Sequence, residues 1–359
     1  MTPAHLNFFS IEECGLYKHN VKKPEALDPA ETFDLIYQWV QGKPIEDTLP
    51  WNPVNKNGLA KCYCHDFYKD EDTGEFLFVL WKSDTSSTGA IWGAQASAAT
   101  GSSKPVEYTN KYKGNKVIWG RPAYYWIIPD LNTVVSIKVD HSVCDSTLFQ
   151  EWVLRCIENR VTHPNKKRME TESGKVRFEF KDKTDTVRCA FRFDVHLRSR
   201  NTGNAQLQDL ASKVTHIVRR DTIQLNSGVD ERPAWVQFFD KIPLIPAKPK
   251  AKTRQIEVRA EATPTAADIK KIIETFAKAE RKRSDWNNVG FGIGTNTVVW
   301  VDRYRLHENI NLSNEGSTVF PASDLYSRLS AVRERILREV IADEATKKKG
   351  KTRASKGSA

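Results

Sequence analysis

The chain has 359 residues, a formal net charge of +10, 39% hydrophobic residues and 28% charged ones. That length holds two or three domains, and the composition suits a globular protein with a modest core. No apolar run approaches the roughly 18–20 residues of a bilayer-spanning helix, which argues against membrane insertion. The N-terminal MTPAHLNFFSIEE lacks the basic-then-apolar order of a signal peptide, so the cytoplasm is the expected location. In that compartment Cys14, Cys62, Cys64, Cys144, Cys156 and Cys189 are expected to be free thiols.

The first clear element is a helix over 29–41. Asp28 is its N-cap, Pro29 its first residue and Glu31 the far end of a capping box, with Gly42 as the stop. Phe33, Ile36, Tyr37 and Val40 form its apolar stripe. Residues 59–69 and 75–82 read as a hairpin around an acidic turn, and 124–128 with 133–139 as a second one. Residues 83–103, rich in Ser, Thr, Ala and Gly, read as a weak helix or loop. A helix over 146–160 presents Leu148, Phe149, Trp152, Val153 and Cys156 to a core. The basic Lys166-Lys167-Arg168 reads as a loop. A hairpin over 175–182 and 186–198 follows, in which phenylalanines alternate with charges.

Further along, a short helix at 204–214 leads to a strand at 215–225. Residues 231–240 look helical and 241–254 look like an extended Pro-rich linker. A strand at 255–262, a helix at 266–283, strands at 288–293 and 297–305 and a long helix at 322–345 complete the pattern. The fold class is therefore α+β: antiparallel sheets with helices packed on them, a long C-terminal helix and a basic tail. The expected organisation is an N-terminal domain over 1–245, with a subdomain break near 162–174. A basic linker at 246–254, a C-terminal domain over 255–345 and a disordered tail over 346–359 follow.

Positive charge is clustered. Lys248, Lys250, Lys252 and Arg254 sit in the linker, and Arg219-Arg220 in a strand. Arg198 and Arg200 close the strand before it. Lys270, Lys271, Arg281, Lys282 and Arg283 lie on one helix opposite Ile269, Ile272, Ile273 and Phe276. Clusters of this kind release counterions from a polyanion, which makes nucleic acid the leading partner, contacted through phosphate rather than base edges. The bland alternative is solubilising surface charge.

One local pattern points to chemistry. His141-Ser142-Val143-Cys144-Asp145 lies between a strand and a helix, where a His-x-x-x-Asp signature occurs in acyltransferases resembling the chloramphenicol acetyltransferase class. His141 would be the general base and Asp145 its structural partner, although Ser146 stands where a glycine normally follows. The plainer reading makes Asp145 a helix cap. Cys62-Tyr63-Cys64-His65 has no second cluster to complete a zinc site, and its spacing reads as sending the two sulfurs to opposite faces of a strand. No metal and no cofactor is expected.

The stretches EFLFVLWKSD (75–84), AYYWIIPDLNTVVSIK (123–138) and ADIKKIIETFAKAERK (267–282), with the layout from Val299 onward, resemble the RexA-like phage-exclusion family of lambdoid prophages. The resemblance covers most of residues 60–340 and rests on hydrophobic pattern rather than on a strict signature. It implies a non-enzymatic intracellular sensor that binds DNA without sequence preference, forms a homodimer and signals to a membrane-channel partner. The rival expectations are an acyltransferase using His141 and a protein-interaction module that does not touch nucleic acid.

Overall fold

The computed structural model describes residues 1–51, 60–83, 92–102, 106–107, 117–181, 185–199, 204–224, 253–278, 286–294, 297–313 and 319–356. The chain divides into two compact units: Met1–Arg198 together with Leu306–Ala359, and Ser199–Arg305. The second unit is thus an insertion in the first.

The first unit opens with β1 (Thr2–Tyr17), α1 (Pro29–Val40), β2 (Cys62–Asp70), β3 (Glu75–Ser83), β4 (Trp92–Gln95) and β5 (Val106–Glu107). It continues with β6 (Val117–Ile128), β7 (Thr133–Lys138), α2 (Ser146–Asn159), β8 (Lys166–Glu170), β9 (Val176–Lys181) and β10 (Thr186–Leu197). The second unit holds α3 (Asn204–Lys213), β11 (Val214–Gln224), β12 (Thr253–Glu261), α4 (Ala266–Lys278), β13 (Asn288–Ile293) and β14 (Thr297–Trp300). The chain then returns to the first unit as β15 (His307–Leu312), α5 (Ala322–Ser330) and α6 (Arg333–Lys356).

One antiparallel sheet runs through the first unit in the order β2-β3-β6-β7-β1-β10-β9-β8, with β15 also on β1 and β4 on β6. Its middle strands are covered on both faces, which explains their continuous apolar runs. Phe76, Phe78 and Leu80 of β3 join one core with Phe33 and Ile36 of α1 and Trp152 and Cys156 of α2. Leu77, Val79 and Trp81 point the other way, into a core completed by Leu325 and Leu329 of α5 and Ile336, Leu337 and Val340 of α6. Fully burying one such side chain contributes about 1.5–3 kcal/mol, so the two-sided burial of β3 and β6 anchors this unit.

Local signals explain the helix starts. The Asp28 carboxylate accepts from Glu31 N at 2.9 Å. The Glu31 carboxylate accepts from Leu27 N at 2.7 Å, one residue upstream of the capping-box target. In the second unit Thr265 and Asp268 cap α4 reciprocally: Thr265 N donates to Asp268 Oδ2 at 3.0 Å and Asp268 N donates to Thr265 Oγ1 at 3.2 Å.

Several expectations are corrected. The division at 246–254 does not hold, because β11 and β12 flank that segment and pair with each other from His216↔Glu261 to Gln224↔Thr253. No break falls at 162–174, since β8 occupies 166–170 and pairs with β9. The long C-terminal helix is two helices, α5 and α6, separated at Ala331–Val332, and it belongs to the first unit. The α6 backbone stays helical through Lys356, across most of the segment expected to be disordered. The strand expected over 297–305 stops at Trp300 and continues as a 3₁₀ turn over Val301–Tyr304. The strands β1, β4, β5 and β15 were not anticipated, and β4 lies within 83–103, the stretch expected as a weak helix or loop. The expected helix at 231–240 and the linker residues before 253 lie outside the described residues.

Candidate nucleic-acid interface

Charge is divided unequally between the units. Ser199–Arg305 contains 19 Lys and Arg against 12 Asp and Glu, a net +7 out of the whole chain's +10. The tail 346–359 contributes six cations and no acid, which leaves residues 1–198 with 306–345 at −3. The excess positive charge therefore resides in the second unit and the tail.

The second unit is a four-stranded antiparallel sheet in the order β12-β11-β13-β14. Helices α3 and α4 cover one face. Leu207 and Leu210 of α3 and Ile269 and Ile273 of α4 meet Val214, Val289, Phe291 and, half-buried, Ile217 and Val299. A bulge between Val214 and His216 keeps Val214 and Ile217 on this same face despite their odd spacing. Alternation then sends His216, Val218 and Arg220 to the opposite face, beside their partners Gly292, Gly290 and Asn288 on β13.

The anticipated cations fall in different places. Lys270 and Lys271 are exposed on α4, next to the fully buried Ile269, so this helix presents two cations on one side while anchored on the other. Arg219 is exposed on β11 and forms an ion pair with Asp221 at 2.6 Å. Arg254 is exposed on the edge strand β12. Lys248, Lys250, Lys252, Arg200 and the Arg281-Lys282-Arg283 cluster lie outside the described residues.

Arg220 stands apart from the others. Its Nε donates to Glu257 Oε2 at 2.7 Å. Its guanidinium carbon is 4.0 Å from the Trp300 ring centroid and 4.4 Å from that of Trp286. These are close cation–π distances. Hydrogen bonds from Arg220 and then Arg259 hold the Glu257 carboxyl below its ordinary pKa. The Trp286 Nε1 donates to Ile256 O at 3.0 Å, which fixes that ring. The residues on this face that the sequence reading missed are the two tryptophans. Their clue was Gly290-Phe291-Gly292, a strand whose outward positions carry no side chain.

Arg198 is not a surface cation. Its side chain is 5% exposed and forms ion pairs with Asp343 at 3.0 Å and Glu344 at 2.9 Å. It also donates to Thr133 Oγ1 and Leu131 O, both at 3.0 Å. It fastens α6 to the β6–β7 turn and the end of β10.

The 141–145 motif is built as a turn. Asp145 Oδ1 accepts from Leu148 N at 3.0 Å, capping α2, while Oδ2 accepts from Lys82 Nζ at 2.7 Å. The Tyr125 hydroxyl bonds both backbone groups of Asp145. His141 is exposed, with φ +61°, at the start of this turn. The Asp145 carboxylate is thus engaged by a helix N-terminus and a lysine.

Cys62 and Cys64 share one core rather than opposite faces, because residues two apart on a strand point the same way. Burial raises the thiol pKa of Cys62, Cys64 and Cys156 well above the ordinary range, so they behave as apolar filler. Among the described residues no cluster of three or more His, Cys, Asp or Glu is placed to hold a metal ion, and no helix is long and apolar enough to cross a membrane. No family model, curated protein or solved structure matches the chain.

Proposed function

We propose that this protein binds DNA without sequence preference through its inserted unit and acts as a cytoplasmic, non-enzymatic sensor in phage exclusion, as the resemblance to the RexA-like family implies. The observation that supports DNA binding is the charge partition: the inserted unit holds a net +7 while the body around it, without the tail, holds −3. A polyanion is attracted to the inserted unit and to the tail rather than to the rest of the body, so contact within the inserted unit falls to the Lys270 and Lys271 surface of α4 and the basic segments of the same unit. Nothing in this arrangement reads base edges, which fits sequence-independent contact. A homodimer and a membrane-channel partner are part of the same proposal and rest on the resemblance alone.

The test is binding to unrelated duplexes across a salt series, with the full chain and with residues 346–359 removed. The observed constant is expected to fall steeply with salt, with a log–log slope of about 0.9 per phosphate neutralised. Lys270→Glu with Lys271→Glu is expected to weaken every duplex equally and to lower that slope by about 2. Binding that disappears with the tail alone, or that ignores salt, overturns the assignment to the inserted unit.

A further inference from the structure

We infer that the face of the inserted unit's sheet opposite α3 and α4 is a stacking platform for the unpaired bases of single-stranded nucleic acid, with Trp300 and Trp286 as its rings. This rests on the nucleic-acid reading above and specifies the strand state that reading leaves open.

Four observations carry it. First, among the described residues α3 and α4 pack on one face of the sheet, and the register places Val218, which is fully buried, with Arg220, Gly290, Gly292 and Trp300 on the other. Second, the glycines let rings lie against the backbone. A Cβ at Gly290 would come 2.9 Å from Trp300 Cε3, and one at Gly292 would come 2.2 Å from the His216 ring. Real side chains at those positions would lift the rings off the strand. Third, the rings are held in place before any ligand arrives. Arg220 lies 4.0 and 4.4 Å from the two indole centroids and is tethered by Glu257, and Trp286 is bonded to Ile256 O. Fourth, both indoles remain half-buried and stand outside the core that α3 and α4 build on the opposite face. A tryptophan kept partly in solvent and pinned on a sheet face, in a unit of net +7 and beside Arg220 and Arg259, which share Glu257, offers an unpaired base on a phosphate backbone a π surface within a cationic unit.

The strand state follows from geometry. In a duplex each base already has a neighbour on both faces, so an indole gains nothing by stacking unless the stack is broken. An unpaired strand offers free faces, and stacking of this kind tolerates any base.

The experiment uses the full-length protein and three fluorescent probes: oligo-dT of 20 nucleotides, a backbone of the same length with abasic sites throughout, and a duplex of 20 base pairs. Fluorescence anisotropy is expected to show oligo-dT bound about tenfold or more tightly than the abasic backbone, since each stacked base counts for roughly that factor or more. Trp300→Leu is expected to abolish most of that difference. Trp300→Phe should retain most of it, and the duplex affinity should change little in either variant. Equal affinity for oligo-dT and the abasic backbone in the unmodified protein overturns the platform, and that comparison needs no variant to fold. A dT preference that survives Trp300→Leu and Trp286→Leu together, in protein with an unchanged thermal midpoint, also overturns it. Duplex binding without any dT preference would refute stacking while leaving the charge-based reading intact. Failure of all three probes at low salt would remove both.

Discussion

Replacing Arg198 by Met removes a cation that faces Glu344 from inside the protein. The Glu344 side chain is 11% exposed and its partner 5% exposed, so the variant takes this ion pair away from a carboxylate largely out of water. Breaking a buried pair from one side costs about 3–5 kcal/mol. Asp343, at 36% exposure, stays solvated and adds little. In a unit of this size each kcal/mol moves the midpoint by about 2–4 °C, so Arg198→Met is expected to lower Tm by roughly 6–20 °C in calorimetry. Adding Glu344→Leu removes the stranded charge and should restore much of the loss, giving a coupling of about 2 kcal/mol in the double-mutant cycle. Duplex affinity of either variant, measured below its midpoint, should match the unmodified protein, because Arg198 faces α6 rather than solvent. A Tm within 2 °C of the parent for Arg198→Met (about the effect of an ordinary surface change), or a double variant no better than the single one, would refute the view that this pair fastens α6.

Other outcomes follow from single sites. His65 is buried on Trp81 with both ring nitrogens lacking a hydrogen-bond partner, and burial lowers its pKa to about 4. The unfolded chain takes up that proton near pH 6.5 while the folded state refuses it, so stability is complete above pH 6.5 and is lost as pH falls toward 4. Urea titrations of His65→Leu should lack about 2–3 kcal/mol of that acid loss. Gly290→Ala places a Cβ 2.3 Å from Val298 Cγ1 and should destabilise the inserted unit by about 1–3 kcal/mol in denaturant melts. Asp145→Ala removes both the α2 cap and the partner of Lys82 and should cost about 1–2 kcal/mol in the same assay.

The α+β class and most of the elements were legible because their signals are local. Pro29 with Asp28 starts α1 as expected, and the alternation of Phe178, Phe180, Phe191 and Phe193 marks a half-buried sheet. What escaped has a different physical origin. β1 runs for 16 residues with Phe8 and Phe9 in opposite cores and a bulge between Ile11 and Glu13, so its period breaks just where a pattern search would look. The domain division failed because a Pro- and Lys-rich composition says a segment is polar, not that the strands on either side of it part company. The candidate interface was half legible. Lys270 and Lys271 follow from a helical stripe, but Trp286 and Trp300 are brought to Arg220 by strand register, which no short window of sequence contains. Arg198 shows the converse: a charge near other charges in sequence can be spent inside the protein on a carboxylate 146 residues away.

The place where the inserted unit leaves the sheet has a consequence for how the protein can be taken apart. Arg198 N donates to Phe8 O at 2.7 Å, and Arg198 O accepts from Leu306 N at 2.8 Å. The last residue before the insertion and the first after it are hydrogen-bonded neighbours, as the two sides of a hairpin would be. The body of the protein therefore sees the whole of Ser199–Arg305 as an oversized turn. Replacing those residues with a short Gly-Asn loop should leave β10, β15 and their partners in register, yielding a body without its basic passenger.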